Sequence, residues 1–312
     1  MKSRKTPIQT SFIFLLFFCC FLSINAQVYQ KIPQWDEEIN TSIKNYLDST
    51  MSQTGRKVAV FDCDGTLFGQ APYYLADEAL FAYAMEHYKG KKDSLSVSKM
   101  AIVDSLLHGD NQGTDYVKRR INFLAGLPVS EVETMGMNAY KEKYGQKFYP
   151  EMKQFLLNLK EFGFEVWVIT ASPEVLYQRF VNEELGIPKN RIIGVKSVIS
   201  NGILTDQLVS PIPQEEGKAK TIETFIKASP MIVGGNSRGD LEMMERSTGI
   251  KIIVNPNDQK IYSETNVREL NGKTLKTFWT QHHAIEVPCK DTVNAKTHYV
   301  SRAWNVKINA SH

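Results

Sequence analysis

The chain has 312 residues, 42% hydrophobic and 23% charged, with a formal net charge of +3. This composition excludes a disordered or collagen-like chain and supplies apolar material for one large domain with an insert, or for two domains. Lys2, Arg4 and Lys5 account for the whole positive excess: beyond residue 26, basic and acidic side chains balance at 34 each, which argues against a nucleic-acid partner.

Those three cations precede an apolar run from Phe12 to Leu22, followed by Ile24-Asn25-Ala26. This is the layout of a secretory signal, predicting cleavage near residue 26 and an exported, periplasmic or secreted protein without a membrane span after cleavage. The run is short for a membrane anchor. Bulky Phe18 before Cys19, and Cys19 before Cys20, do not resemble a lipoprotein cleavage site. Cys63 and Cys289 are then the cysteines left, too few for a disulfide framework.

Residues 27–56 read as a leader with one helix over Asp36 to Met51, where Ile39, Ile43, Tyr46 and Leu47 recur at helical spacing. Val58-Ala59-Val60-Phe61 follows as a short buried strand and runs into Asp62-Cys63-Asp64-Gly65-Thr66. A strand ending in two carboxylates places them at the carboxyl edge of a sheet, where open α/β folds bind ligands. Solvated turn aspartates are the plain alternative. A calcium loop beginning Asp-x-Asp fails, because its glycine and glutamate positions hold Leu67 and Tyr73.

Residues 69–148 read as helical throughout, with helices over Leu75–Tyr88, Ser96–Leu107, Asp115–Leu124 and Val129–Tyr144, and are rich in tyrosine. From Pro150 the pattern alternates. A helix to Phe162 leads to a strand over Phe164–Thr170, and a turn at Ala171-Ser172-Pro173 leads to a helix over Glu174–Leu185. A strand over Ile192–Val198 is followed by a hairpin at Asn201-Gly202. Lys218 stands near the start of a helix reaching Lys227; Met231–Ser237 reads as a strand and turn, and Ile250–Val254 as another strand. This alternation implies a mostly parallel sheet. Its strand ends then gather Asp62, Asp64, Thr170, Asn236 and Asp240, with Lys218 between. Hard oxygen donors, a hydroxyl, an ammonium and glycine-rich turns suit a magnesium ion and a phosphoryl group.

Asp62-Cys63-Asp64-Gly65-Thr66, Thr170, Lys218 and Gly235-Asn236-Ser237-Arg238-Gly239-Asp240 resemble, in order and spacing, the four motifs of the haloacid dehalogenase-like hydrolases. The helical insert resembles the cap of the phosphoserine phosphatase-like branch, near which secreted phosphorylcholine phosphatases belong. The resemblance implies a Rossmann-like, three-layer α/β core at 57–68 and 149–275, an all-helical cap at 69–148, and an extension at 276–312. It implies an exported Mg²⁺-dependent phosphomonoesterase acting on a small phosphorylated metabolite. Asp62 is then the nucleophile, Asp64 the acid and base, and Thr170, the turn at Ala171 and Lys218 the phosphate ligands. Asp62, Asp64 (through its carbonyl), Asn236 and Asp240 are the metal ligands. Lys220 is the alternative to Lys218.

Two departures stand out. Asn236 sits where many relatives carry a metal-binding aspartate, which keeps open a weakly catalytic relative that binds a phosphorylated ligand, and leaves Asp240 to supply the charge. Ala71 sits where phosphoserine phosphatases carry a glutamate for the substrate amine. With Tyr73 and Tyr74 close to the nucleophile, the expected substrate is phosphorylcholine-like before phosphoserine-like, through cation–π contacts.

Overall fold

The computed structural model describes residues 27–69, 74–109, 113–262 and 270–290, with two short paired segments at 299–300 and 307–308. The expected signal segment, Ala71 and Tyr73 lie outside the described residues. No described helix is long and apolar enough to cross a membrane.

The elements in chain order begin with α1 (Glu37–Ser49), whose first turn is capped by the Asp36 carboxylate accepting from the Ile39 amide, and β1 (Lys57–Phe61). Four helices follow: α2 (Leu75–His87), α3 (Ser94–His108), α4 (Gly113–Leu124) and α5 (Val129–Ala139), the last running into a π turn over Tyr140–Tyr144. Then come α6 (Pro150–Glu161), β2 (Phe164–Pro173), α7 (Glu174–Leu185), β3 (Ile192–Ser200) and β4 (Ile203–Val209). The remainder comprises α8 (Glu216–Thr221), β5 (Ile232–Gly235), α9 (Leu241–Met244), β6 (Ile250–Val254), α10 (Leu275–Gln281) and β7 (Ile285–Val287).

The seven strands form one sheet in the order β4-β3-β2-β1-β5-β6-β7, parallel except for β4. Every residue of β1 is buried, as expected for a strand covered on both faces. Alternate side chains feed two separate cores: Ala59, Phe61 and Cys63 pack with α6 and α7, whereas Val58 and Val60 pack with α9 and α10. The result is a three-layer α/β sandwich. The leader belongs to it, since Ile43 and Leu47 of α1 are fully buried and Tyr46 donates to the Met231 carbonyl at 3.0 Å.

Chain order reverses at β1: the connection through β2 and β3 builds one half of the sheet, and β5 starts the other half on the opposite side of β1. Ligand crevices in open α/β sheets lie at such points, above the strands' carboxyl ends.

The helices α2–α5 stand between β1 and β2 in the chain. Their block is stitched internally by Lys99 of α3, whose ammonium donates to the carbonyls of Asn122, Phe123 and Ala125 at 2.9, 2.7 and 2.7 Å, satisfying the open C-terminus of α4. Two of its ties to the core involve main chain. The β3–β4 hairpin bonds main chain to main chain with the α4–α5 loop: Gly126 N to Leu204 O at 2.8 Å, Leu204 N to Leu127 O at 3.0 Å, and Val129 N to Gly202 O at 2.9 Å. At the second, α5 meets α7 so closely that a Cβ on Gly136 would lie 1.9 Å from the Leu176 carbonyl oxygen.

Candidate active site

Asp62 leaves the end of β1 with its amide bonded to the Gly234 carbonyl at 3.0 Å, which locks it beside β5. Gly65 then takes a positive φ of 85°, a conformation open to glycine, and turns the chain back. The alternation of the strand persists through the turn: Cys63 points into the apolar core, while Asp62 and Asp64 point out of it.

Lys218, from α8, is the hub of the first charge cluster. Its Nζ lies 2.6 Å from Asp62 Oδ1 and 2.6 Å from Asp240 Oδ1. All three groups are buried. One ammonium between two carboxylates leaves the trio net negative. Burial therefore pushes the Asp62 carboxyl up, the Asp240 charge adds to this, and Lys218 only partly opposes it, so that its pKa stands at about 7. For Lys218, burial works against the charge, but the Asp240 and Asp62 carboxylates outweigh it and hold the ammonium above the ordinary lysine value. Lys220 is exposed on the same helix, paired with Glu216 at 3.0 Å, so the structure brings Lys218 and not Lys220 to Asp62.

Asp240 is fully occupied. Its Oδ2 accepts from the Asn236 amide, the Ser237 amide and the Ser237 hydroxyl, each at 3.0 Å, and its Oδ1 faces Lys218. It shapes the loop after β5 and orients Lys218. Asn236 is placed differently. The Thr66 hydroxyl lies between two acceptors, 3.1 Å from Asp62 Oδ2 and 3.3 Å from Asn236 Oδ1. These two hard oxygens meet at the strand-order reversal. Among the described residues, no three His, Cys, Asp or Glu side chains gather as metal ligands. The donor set is thus one carboxylate and one amide oxygen with the neighbouring main chain, which fits a Mg²⁺ ion that keeps several waters and completes its shell on a substrate phosphate.

Asp64 sits in a second, hydroxyl-lined nest. Tyr177 donates to its Oδ1 at 2.8 Å; Ser172 and Thr170 donate to its Oδ2 at 3.0 and 3.3 Å. Burial pushes the Asp64 carboxyl up, while these hydroxyls and the Arg120 charge hold it down. Thr170, the expected phosphate ligand, also accepts from the Ser172 amide at 3.1 Å; the turn expected at Ala171-Ser172-Pro173 is instead the end of β2, where Ala171 is half-buried. The structure therefore brings Asp62, Asp64, Thr170, Lys218, Asn236 and Asp240 together at one sheet edge.

A third cluster comes from the helical block. Arg120 of α4 donates from Nε and Nη2 to the two oxygens of Asp77 on α2, at 2.8 and 2.9 Å. The Tyr116 hydroxyl bonds both partners. The guanidinium lies 4.1 Å from the Tyr116 ring centre and 5.1 Å from that of Tyr74. One face of Tyr74 thus carries a protein cation, and the ring as a whole is half-buried.

Sequence reasoning missed Ser172, Tyr177, Asp77 and Arg120. Ser172 stands two residues after Thr170 on the same strand and was open to a period-two reading; the others carry no local signal.

Residues 59–245 match the family model of the haloacid dehalogenase-like hydrolases. The chain belongs to this family. Among curated relatives of this hydrolase, the phosphoserine phosphatase SerB2 of Mycobacterium tuberculosis is 21% identical over 67% of the chain and 46% of its own length. SerB1 of the same species, also a phosphoserine phosphatase, is 25% identical over 64% of each. The chain thus spans about half to two-thirds of the length of these relatives. Two solved structures share the fold at a TM-score of 0.57: a protein of unknown function from Anaerococcus prevotii, at 18% identity over 74% of this chain and 89% of that one, and another from Bordetella pertussis, at 14% identity over 75% and 99%.

Proposed function

We propose that this hydrolase is an exported, Mg²⁺-dependent phosphomonoesterase that cleaves a small organic phosphate through an aspartyl-phosphate on Asp62. The observation that carries the reading is the placement of Asp62. It is a buried carboxylate at the carboxyl end of the central strand, 2.6 Å from Lys218 and beside the Asn236 amide oxygen through Thr66.

In this reading an Asp62 oxygen attacks phosphorus as the bond to the ester oxygen breaks. Asp64 gives its proton to the departing alkoxide, and later takes one from the water that hydrolyses the acyl phosphate. Lys218 offsets negative charge on the phosphoryl oxygens, and the Thr170 hydroxyl turns from Asp64 to one of those oxygens. Asp240 keeps Lys218 in place. A Mg²⁺ ion held by Asp62, Asn236 and the Asp64 carbonyl would supply further positive charge against the phosphate. The relatives named phosphoserine phosphatases support the ester class. For the alcohol part, the tyrosine-rich helical insert keeps a phosphorylcholine-like ester ahead of a phosphoserine-like one, and with Arg120 against one face of Tyr74 a quaternary ammonium would meet that ring on its other face. Export rests on the basic and apolar pattern of residues 1–26.

The test is turnover of p-nitrophenyl phosphate by the purified chain with and without Mg²⁺, alongside a phosphorylcholine, phosphoethanolamine and phosphoserine series. Mg²⁺-dependent turnover abolished by Asp62→Asn is the expected result. Tight binding of phosphate with no turnover would instead support a ligand-binding relative, the outcome that Asn236 in place of a carboxylate favours.

A further inference from the structure

Asp64 has more hydrogen-bond donors than a proton carrier needs. A carboxylate offers about four lone-pair positions, and three are met by hydroxyls from the β2 end and α7. The three are not equivalent. The Thr170 contact is the longest, at 3.3 Å, and its single proton is the one a phosphoryl oxygen would claim. Once Thr170 turns to phosphate, Ser172 and Tyr177 are what fix the Asp64 carboxyl group.

Of these two, Tyr177 is the better anchored. It is fully buried on α7, with its ring centre 5.0 Å from that of Phe180 and 6.5 Å from that of Phe68, so packing permits it no swing. The α7 turn that carries it is the one on which cap helix α5 rests, through Gly136 against the Leu176 carbonyl. Its hydroxyl meets Asp64 Oδ1 at 2.8 Å, on the oxygen that neither Ser172 nor Thr170 touches.

We infer that Tyr177 is a positioning residue for Asp64: its hydroxyl fixes the rotation of the carboxyl group, so that the proton is delivered to the ester oxygen as the P–O bond breaks. The inference rests on the phosphomonoesterase reading and adds to it a residue outside the four motifs. In the step itself, the Asp62–phosphorus bond forms, the phosphorus–ester oxygen bond breaks, and the Asp64 proton moves to that oxygen, leaving Asp64 ionised and the alcohol neutral. Tyr177 donates throughout and exchanges no proton.

A leaving group that needs no proton is indifferent to this positioning, and one that needs it is not. The experiment compares kcat/KM, which covers the steps through departure of the alcohol, for β-glycerophosphate and p-nitrophenyl phosphate on wild type and Tyr177→Phe. The phenylalanine keeps the packed ring, and a melting curve checks the fold. The expected result is a loss of about tenfold or more for the alkyl ester, within the range that general acid catalysis supplies, and less than about threefold for the aryl ester. Ser172→Ala, which removes the donor on the other oxygen, should show the same bias at smaller size. Equal losses on both esters, or no loss on either, overturn the inference while leaving the phosphatase reading intact. A wild type that turns over neither ester overturns both. If Tyr177→Phe fails to fold, the same ratio is read from Tyr177→His and Ser172→Ala, and equal losses on both esters in those variants overturn the inference.

Discussion

Two buried carboxylate–cation clusters of this molecule are built to opposite ends. In the cap, Arg120 and Asp77 form a two-point pair, closed by the Tyr116 hydroxyl and covered by Tyr74. One cation meets one anion, and the charges cancel. At the sheet edge, Lys218 is shared between Asp62 and Asp240, so one cation serves two anions and a negative charge is left over in a buried place. A closed pair holds structure. An unbalanced one is costly until something cationic or electrophilic completes it, and that is the state a nucleophile and metal ligand requires. The difference teaches that burial and pairing alone do not tell the two clusters apart; the residual charge does.

The largest test of this contrast is to remove the residual charge. Asp62→Asn should lower turnover of p-nitrophenyl phosphate by at least about a thousandfold, because an amide is a poor nucleophile. It should also change stability in the metal-free protein, with a sign that follows from its raised pKa. Asp62 binds its proton more tightly folded, at about 7, than its ordinary value of 3.8. Stability is then greatest below the ordinary value and is lost as pH rises through about 7. Asp62→Asn escapes that loss, so its melting temperature should exceed that of wild type at pH 8, with the gap closing on acidification. A wild type and variant that melt with the same pH profile would show that the trio carries no unbalanced charge.

In the cap the same kind of substitution should act on stability instead. Arg120→Met leaves Asp77 buried without its cation and should cost about 3–5 kcal/mol in a urea titration, the usual penalty for breaking a buried pair. If Arg120→Met melted like wild type, the Asp77 side chain would have water to fall back on, and the cap cluster would not be the closed pair described.

The sequence made one of these clusters visible and hid the other for a physical reason. Asp62 and Asp64 follow an apolar strand within a few residues, and Asn236 and Asp240 follow a second one, so strand-end logic alone gathers them. Asp77 and Arg120 lie on different helices and meet only through packing, as do Tyr177 and Asp64. The parallel strands β1, β2, β3, β5 and β6 were legible as apolar runs, whereas β4, with Thr205, Asp206 and Gln207 in its middle, was visible only through the Asn201-Gly202 hairpin that precedes it. β7 was not: Ile285-Glu286-Val287 is three residues long with a charge in the middle, and it becomes a strand only by pairing with β6 at the sheet's edge. The helices expected to reach Tyr144 and Lys227 end instead in π turns at 140–144 and 222–226, a change of hydrogen-bond register that apolar spacing does not reveal.

A finer test adds charge where the open cluster has an amide. In the structure Asn236, not Asp240, faces Asp62 through Thr66, because both Asp240 oxygens are already engaged. Asn236→Asp should therefore lower the Mg²⁺ concentration for half-maximal activity by about tenfold, equivalent to roughly 1.4 kcal/mol of added affinity, with the same shift in a calorimetric titration of Mg²⁺. An unchanged requirement would remove Asn236 from the ion's ligands.

The smallest expected effect separates the two lysines of α8. They are two residues apart, and the sequence left either as the phosphate ligand. Lys218 is buried between two carboxylates, whereas Lys220 is exposed and paired with Glu216, itself exposed. An exposed i,i+4 pair is screened by water and contributes about 0.3–0.5 kcal/mol. Lys220→Ala should accordingly change kcat/KM by less than about twofold, since its ammonium is exposed and held by Glu216, and should shift stability by no more than about 0.5 kcal/mol. A loss of tenfold or more in kcat/KM would mean that α8 turns during catalysis to bring Lys220 inward. The buried trio around Lys218 would then be a resting arrangement rather than the working one.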